Sequence, residues 1–310
     1  MRYDIDAFPG STIVQNGKTY VYFGGTAYLG LQTDTAFQQL FIENVKKYGT
    51  DYSASRTANI RISIYERAEA FLADRSGSEA CLTLSSGYLA GQLVRAYFNT
   101  AAYKSFHAPG THPALHGQHT KNYDTFKALH KAITTQLHKT PSVTPVVYFD
   151  TVDFQGNNYP DFKGLKALPL EKIILVADDS HGFGILGSRG EGAFEMLQAL
   201  KSKALVVCGS LGKGFGIQAG GILGTQSLIH ALKKTDMFAA ASPAAPCALS
   251  TFLKAQTIYT KKRQLLLQHI KTFVKGIAAL SQFRYMKGYP TFTYTDEALS
   301  QHLLQHHIVV

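Results

Sequence analysis

Apolar and polar residues alternate at the start of the chain. STIVQ and KTYVYFGG flank Asn16–Gly17, a pattern that predicts two short strands joined by a tight turn. The spacing then lengthens. TDTAFQQLFIENVKKYG carries apolar residues at helical intervals, with Thr33 or Asp34 near its N-cap and Gly49 after its end. YERAEAFLADRSG predicts a second helix, closed by Gly77. From there strands and helices alternate. EACLTLSSG reads as a strand and YLAGQLVRAYF as a helix, while PVVYFD, KIILVADD and ALVVCGS are unbroken apolar runs ending in small or polar residues. Such runs need cover on both faces, so they predict an α/β fold with a large, mostly parallel sheet. Ligands in such sheets bind outside the carboxyl ends of the strands. SSGY, DDSHG and GSLGKGFG each follow a strand-like run and so fall on that one edge.

The pattern changes after residue 243. SPAAPCALSTFLKAQTIYTKKRQLLLQHIKTFVKGIAAL is helical past Pro246, TFTYT is a strand, DEALSQHLLQHH a helix, and IVV opens a strand at which the sequence stops. The expected organisation is an N-terminal segment (1–40), a large domain (41–243) and a small C-terminal α/β domain (244–310) that ends as an incomplete one would.

Composition narrows the class. Hydrophobic residues make up 45% of the chain and charged ones 17%, which suits a packed core and excludes a disordered chain. No stretch is long and apolar enough to span a bilayer, and MRYDIDAFPG lacks the apolar run of a secretory signal, so a cytoplasmic protein is expected. Cys81, Cys208 and Cys247 are odd in number and widely spaced, which favours free thiols over disulfides or metal. The net charge of +10 is spread out, without the interleaved basic and aromatic residues that bind nucleic acid. It fits a solvated surface or mild attraction of phosphorylated and carboxylate ligands.

Lys213 is the first chemical candidate. Its glycine neighbours in GSLGKGFG allow close approach to a cofactor, and a neutralisable amine forms a Schiff base with an aldehyde. The alternatives are a solvated loop lysine and a P-loop; the P-loop fails because Gly214, not Ser or Thr, follows the lysine. Asp178 ends an apolar strand, where a carboxylate can pair with a protonated pyridine nitrogen, and His181 can hydrogen-bond a phenolate oxygen. A turn or helix cap is the plain alternative for this acidic pair. Gly182, Gly184 and Gly187 spell GxGxxG, but no acid ends the next strand-like run, ALVVCGS, so a dinucleotide site is rejected. Gly87 and Tyr88, in SSGY, open a helix whose free N–H groups can hold a phosphate; an ordinary N-cap is the alternative. His107, His112 and His116 lack a partner cysteine or acid at ligand spacing, so stacking of His112 on a ring, or a surface loop, is preferred to metal.

Together these pieces resemble the α-oxoamine synthase family of fold-type-I pyridoxal-phosphate enzymes. The resemblance is carried in order by TAYLGL (26–31), YGTDYSASR (48–56), SSGYLA (85–90), THPALHG (111–117), ADDSHGFGILGSRGEG (177–192) and GSLGKGFGIQAGG (209–221). It implies a pyridoxal 5'-phosphate cofactor held on Lys213, with Asp178 at the ring nitrogen, His181 at the ring oxygen and His112 stacked on the ring. It further implies phosphate binding at Gly87, Tyr88 and Ser210, condensation of an amino acid with an acyl-CoA, and a homodimer.

The sequence also departs from the family pattern. Thr26 stands for an asparagine, DYSASR for a glycine-rich stretch, Tyr65 for a histidine and Asp153 for a serine that contacts the site. Ser242 remains from a Ser-Thr-Ser that reaches a partner's phosphate, and the family's substrate-carboxylate arginine is expected beyond Val310. These substitutions keep open another pyridoxal-phosphate activity, aminotransfer or carbon–carbon cleavage, and a non-catalytic relative as a third reading.

Overall fold

The computed structural model describes residues 4–117 and 120–310. The expected hairpin is β1 (Thr12–Gln15) and β2 (Lys18–Tyr22), paired antiparallel. Its turn residues Asn16 and Gly17 have φ of 50° and 73°, the positive values that a two-residue hairpin turn requires. Helix α1 (Thr35–Tyr48) is capped by Asp34, whose carboxylate accepts the Phe37 N–H, and α2 (Ile64–Ser76) ends at a left-handed Gly77.

The central sheet contains β3 (Ala80–Leu84), β4 (Tyr103–His107), β5 (Thr144–Asp150), β6 (Ile174–Asp178), β7 (Ala204–Ser210) and β8 (Gly220–Gly224). Its order is β3-β8-β7-β6-β5-β4. Strands β4 to β7 run parallel, and β8 runs antiparallel to both its neighbours. Helices α3 (Gly87–Tyr97), α4 (Phe126–Lys139), α5 (Lys163–Lys166), α6 (Phe194–Gln198), α7 (Gln226–Lys233) and α8 (Asp236–Ala240) lie along this part of the chain.

The unbroken apolar runs are explained by two cores. Val147 and Phe149 of β5 join one buried cluster, with Leu175, Ala177, Phe37 and Leu72. Val146 and Tyr148, pointing the other way, join a second with Val176, Val206, Leu93 and Leu232. A strand covered on both faces has no position left for a polar residue. Two strands differ from the sequence expectation. YKSFH of β4 is too polar to read as a strand, and GGILG of β8 is too rich in glycine.

The long C-terminal helix is two helices, α9 (Pro246–Lys254) and α10 (Gln256–Gly276), divided at Ala255. Most of α9 is buried, whereas α10 buries Tyr259 and Ile270 and exposes much of the rest, so the break lets one helix cross the core and the other run over it. A small antiparallel pair follows, β9 (Arg284–Tyr285) with β10 (Phe292–Thr293), then α11 (Glu297–Gln305). The final strand, β11 (Ile308–Val309), pairs parallel with β2, so the two ends of the described chain share one sheet. All three cysteines are free and buried. Among the described residues, no helix is long and apolar enough to cross a membrane.

Candidate active site

Lys213 lies in the bend between β7 and β8. A Cβ on Gly214 would sit 2.0 Å from the Phe183 carbonyl oxygen, and one on Gly184 would sit 2.7 Å from the Gly214 backbone. The HGFG and GKG loops therefore interlock backbone to backbone, which only glycine permits. The other glycines of the GxGxxG pattern are also accounted for by packing. A Cβ on Gly182 would strike the Asp179 carboxylate at 2.0 Å, and one on Gly187 the Glu191 carboxylate at 2.2 Å.

This interlock brings the Lys213 Nζ to 3.0 Å from His181 Nε2. Lys213 is half-buried, and burial lowers its pKa; the nearby Asp178 and Asp150 carboxylates partly oppose that shift. His181 is pushed down to about 4, first by burial and then by Lys213 and His112. Its Nδ1 lies 2.7 Å from the Tyr28 hydroxyl. Tyr289, fully buried, places its hydroxyl 3.1 Å from that of Tyr28 and 3.0 Å from the His181 carbonyl.

Asp178 and Asp150 end adjacent parallel strands in register. Asp178 accepts the Ser180 N–H at 2.9 Å, and Asp150 accepts the backbone N–H of His112 at 3.1 Å. Asp150 is pushed up to about 8 by burial and by the Asp178 charge beside it. Asp179 is wholly buried, accepts the Ala193 N–H at 2.8 Å, and is raised to about 7, mainly by burial. Asp179 thereby ties the loop to the start of α6, while the Asp178 charge lies close enough to Lys213 to raise its pKa.

On the same edge, α3 begins at Gly87, with Ser86 as N-cap and its hydroxyl accepting the Leu89 N–H. A Cβ on Gly87 would lie 2.4 Å from the Ser210 nitrogen, and one on Gly220 would lie 2.1 Å from the Ser86 carbonyl oxygen. The missing side chains let three strand ends close around the first N–H groups of α3, which have no helical partners. Ser210 donates its N–H to the Ser180 hydroxyl at 2.8 Å, and its own hydroxyl accepts the Gly212 N–H. Tyr88, the second residue of α3, is 62% exposed.

The histidines of HAPGTHPALHG separate. His107 stacks on Tyr148 with ring centroids 4.9 Å apart, and burial lowers its pKa to about 4. His116 meets His107 edge-on at 5.4 Å. His112 alone stands exposed at the edge, tied through its backbone to Asp150. Asp153 differs from the expectation that it stands at the site. Its carboxylate accepts the N–H groups of Gln155, Asn157 and Asn158, so it is committed to its own loop. The neighbouring Phe154 is the one that meets His181, with ring centroids 4.9 Å apart, and it is 45% exposed. Tyr65 is turned away from the edge: its hydroxyl donates to the Ala244 carbonyl, and its ring lies under the Arg56 guanidinium at 4.1 Å. The Ser242 carbonyl accepts the Ser85 N–H beside the start of α3.

Lys213, His181, Asp178 and His112 are thus gathered at one edge, with Gly87 and Ser210 forming its cradle. Sequence reasoning missed Tyr28, Asp150, Phe154 and Tyr289. Asp150 carried a signal, since PVVYFD ends in an acid as KIILVADD does. Tyr289 carried none, because the segment after β9 has no pattern that points to the sheet edge.

Residues 117–310 match the family described as Aminotransferase class I and II. The chain belongs to that family. Among curated relatives it is 28% identical over 224 residues to 8-amino-7-oxononanoate synthase of Lysinibacillus sphaericus, covering 70% of this chain and 57% of that protein. It is 25% identical over 285 residues to the Alcanivorax borkumensis protein of the same name, covering 89% of this chain and 74% of that one. The chain spans less than two thirds of the length of several such relatives, with 58% for that of Halorhodospira halophila. Among solved structures, Sphingomonas wittichii serine palmitoyltransferase matches with a TM-score of 0.80 at 17% identity, over 99% of this chain and 82% of that one. 8-Amino-7-oxononanoate synthase from Francisella tularensis matches at 0.69, with 18% identity, over 94% and 87%. These likenesses show a shared fold, the fold-type-I architecture with its large, mostly parallel sheet.

Proposed function

We propose that the protein is a pyridoxal-phosphate-dependent acyltransferase of the α-oxoamine synthase kind, joining the α-carbon of an amino acid to the acyl group of an acyl-CoA with release of coenzyme A. The observation that carries this reading is the 3.0 Å contact between Lys213 Nζ and His181 Nε2, beside paired strand-end carboxylates and a helix N-terminus. The curated relatives named 8-amino-7-oxononanoate synthase, at 25% and 28% identity, support the same choice of reaction.

The residues present fit the cofactor. At Gly87 and Gly220 a Cβ would strike the backbone of Ser210 and Ser86, so these glycines let the strand ends pack against the start of α3, whose first N–H groups are left to a phosphate ester. Asp178 suits a carboxylate opposite a ring nitrogen that must stay protonated. His112 suits a ring-stacking role and His181 a hydrogen bond to the ring oxygen. When bound, pyridoxal phosphate supplies an electron sink for negative charge at the amino acid's α-carbon.

Lys213 has two tasks in this account. Its amine would hold the cofactor's aldehyde, and the same amine, when free and neutral, would be the base placed to take a proton from the substrate's α-carbon. Both tasks need the neutral amine, which burial favours by lowering its pKa. Phe154, 45% exposed, sets an apolar ring edge-on to His181, with centroids 4.9 Å apart. Tyr88 and His112 stand exposed in the single chain, which suits a site completed in a homodimer.

The reaction is tested by thiol release from a panel of acyl-CoAs and amino acids, with pyridoxal phosphate present. At least one pair gives release, and Lys213→Ala gives none. If no pair releases thiol while an amino acid alone converts the cofactor to its amine form, the activity is aminotransfer.

A further inference from the structure

Two tyrosines, neither near the lysine in sequence, meet behind His181. Tyr28 comes from the segment after the N-terminal hairpin and Tyr289 from the turn between β9 and β10. The Tyr289 hydroxyl has one proton and two acceptors in reach, the Tyr28 oxygen at 3.1 Å and the His181 carbonyl at 3.0 Å. A three-centre bond serves both. The Tyr28 oxygen is therefore an acceptor toward Tyr289, as it is toward the Thr291 side chain, and its own proton is left for His181 Nδ1, 2.7 Å away. A neutral imidazole carries one proton, and a ring whose Nδ1 accepts must carry it on Nε2.

We propose that Tyr28, backed by Tyr289, fixes His181 in the Nε2–H tautomer, so that the ring presents a donor to Lys213 and to the cofactor's ring oxygen. This inference rests on the function proposed above and adds the two positioning residues that make His181 a donor there. Burial keeps His181 neutral near pH 7, since its pKa is driven down to about 4. An Nε2–H group at 3.0 Å from Nζ is compatible with the lone pair of a neutral amine and unfavourable for an ammonium ion. Behind the ring, Tyr289 packs edge-on against Tyr28 with centroids 6.0 Å apart, and Tyr28 against His181 at 6.1 Å. Without the Tyr28 hydroxyl, Lys213 becomes the ring's nearest partner. It then donates to Nε2, the ring proton moves to Nδ1, and the donor facing the site is lost.

The test uses the full chain without cofactor, labelled with ¹⁵N at histidine, with His181→Gln serving only to assign the signals. Two-bond ¹H–¹⁵N spectra at pH 7 report which ring nitrogen is protonated. The wild type shows protonated Nε2, Tyr28→Phe shifts the major form to protonated Nδ1, and Tyr289→Phe gives an intermediate mixture. Acylation of Lys213 at pH 7, read by mass spectrometry, slows about tenfold in Tyr28→Phe for each unit by which the lysine pKa rises. Protonated Nδ1 in the wild type overturns the inference, as does an unchanged tautomer in both variants. If Tyr28→Phe does not fold, the wild type and Tyr289→Phe decide the matter. These readouts need no cofactor, so a chain that binds no pyridoxal phosphate sinks the proposed function alone. A cofactor-binding wild type with protonated Nδ1 sinks this inference alone.

Discussion

Asp150 and Asp178 face each other across β5 and β6, paired in register at the carboxyl ends of two parallel strands. Two acids so placed repel, and burial raises the cost of ionising both. Asp150 is raised well above the usual carboxylate range, first by burial and then by the Asp178 charge beside it. A cationic ring nitrogen beside Asp178 would relieve the repulsion.

The pair predicts how stability depends on pH. A carboxyl raised in the folded state binds more protons there than in the unfolded chain, so its contribution is present at low pH and is lost as pH rises toward its folded value. Asp150, at about 8, and Asp179, at about 7, both act this way. His107 and His181, at about 4, act oppositely, but only below the ordinary histidine value of about 6.5. Between pH 6.5 and 8 the cofactor-free protein therefore loses stability. Asp150→Asn reduces that loss, measurable as a shift in Tm, since each kcal/mol moves Tm by roughly 2–4 °C in chains of about 150–250 residues and by less in longer ones. Equal declines in both proteins would contradict the assignment.

Gly87→Ala should be damaging although alanine is a good helix former. Its Cβ would meet the Ser210 backbone at 2.4 Å, and backbone cannot swing aside. Overpacking of this kind costs about 1–3 kcal/mol. Denaturant titration measures that loss, and pyridoxal-phosphate titration should show affinity weakened about tenfold or more. Unchanged affinity would remove the cradle from the account.

Phe154→Ala should move a titration rather than a stability. The Phe154 ring packs edge-on against the half-buried His181, with centroids 4.9 Å apart. Removing it restores solvation, so the His181 pKa climbs from about 4 toward its ordinary value. Histidine chemical shifts against pH follow the change directly, and a pKa that stays put would place the desolvation elsewhere.

Asp178→Asn should separate binding from turnover. The cofactor still attaches through Lys213 and the cradle, so colour remains. Without the carboxylate a bound ring nitrogen would no longer be held protonated, and turnover should fall about a hundredfold or more, the scale of losing one positioned charge-stabilising group. Colour lost in step with activity would show that Asp178 is needed for holding the cofactor instead.

Much of this arrangement was legible in the sequence, because strand ends and glycines announce themselves. KIILVADD and ALVVCGS are buried on both faces, so their apolar runs mark both the strand and the edge where it stops. The glycines around Lys213 signalled close approach, and the contacts they permit are between loops. The strand β4 was hidden because at the sheet's edge it needs less apolar surface, and β8 because glycine packs there for the cradle's sake. Asp153 and Phe154 could not be told apart by sequence: adjacent residues on a loop point where its turns send them, and Asp153 forms that turn. Tyr289 reaches His181 across 108 residues of chain, through packing that no local pattern encodes.

The central claim is that the Lys213 amine is the one that bonds the cofactor. The direct measurement is to load the protein with pyridoxal phosphate, fix the linkage with borohydride, digest, and map the added mass. The account predicts the phosphopyridoxyl group on the peptide containing Lys213, with no label there in Lys213→Ala. Label on other lysines only, or none at all, would contradict it.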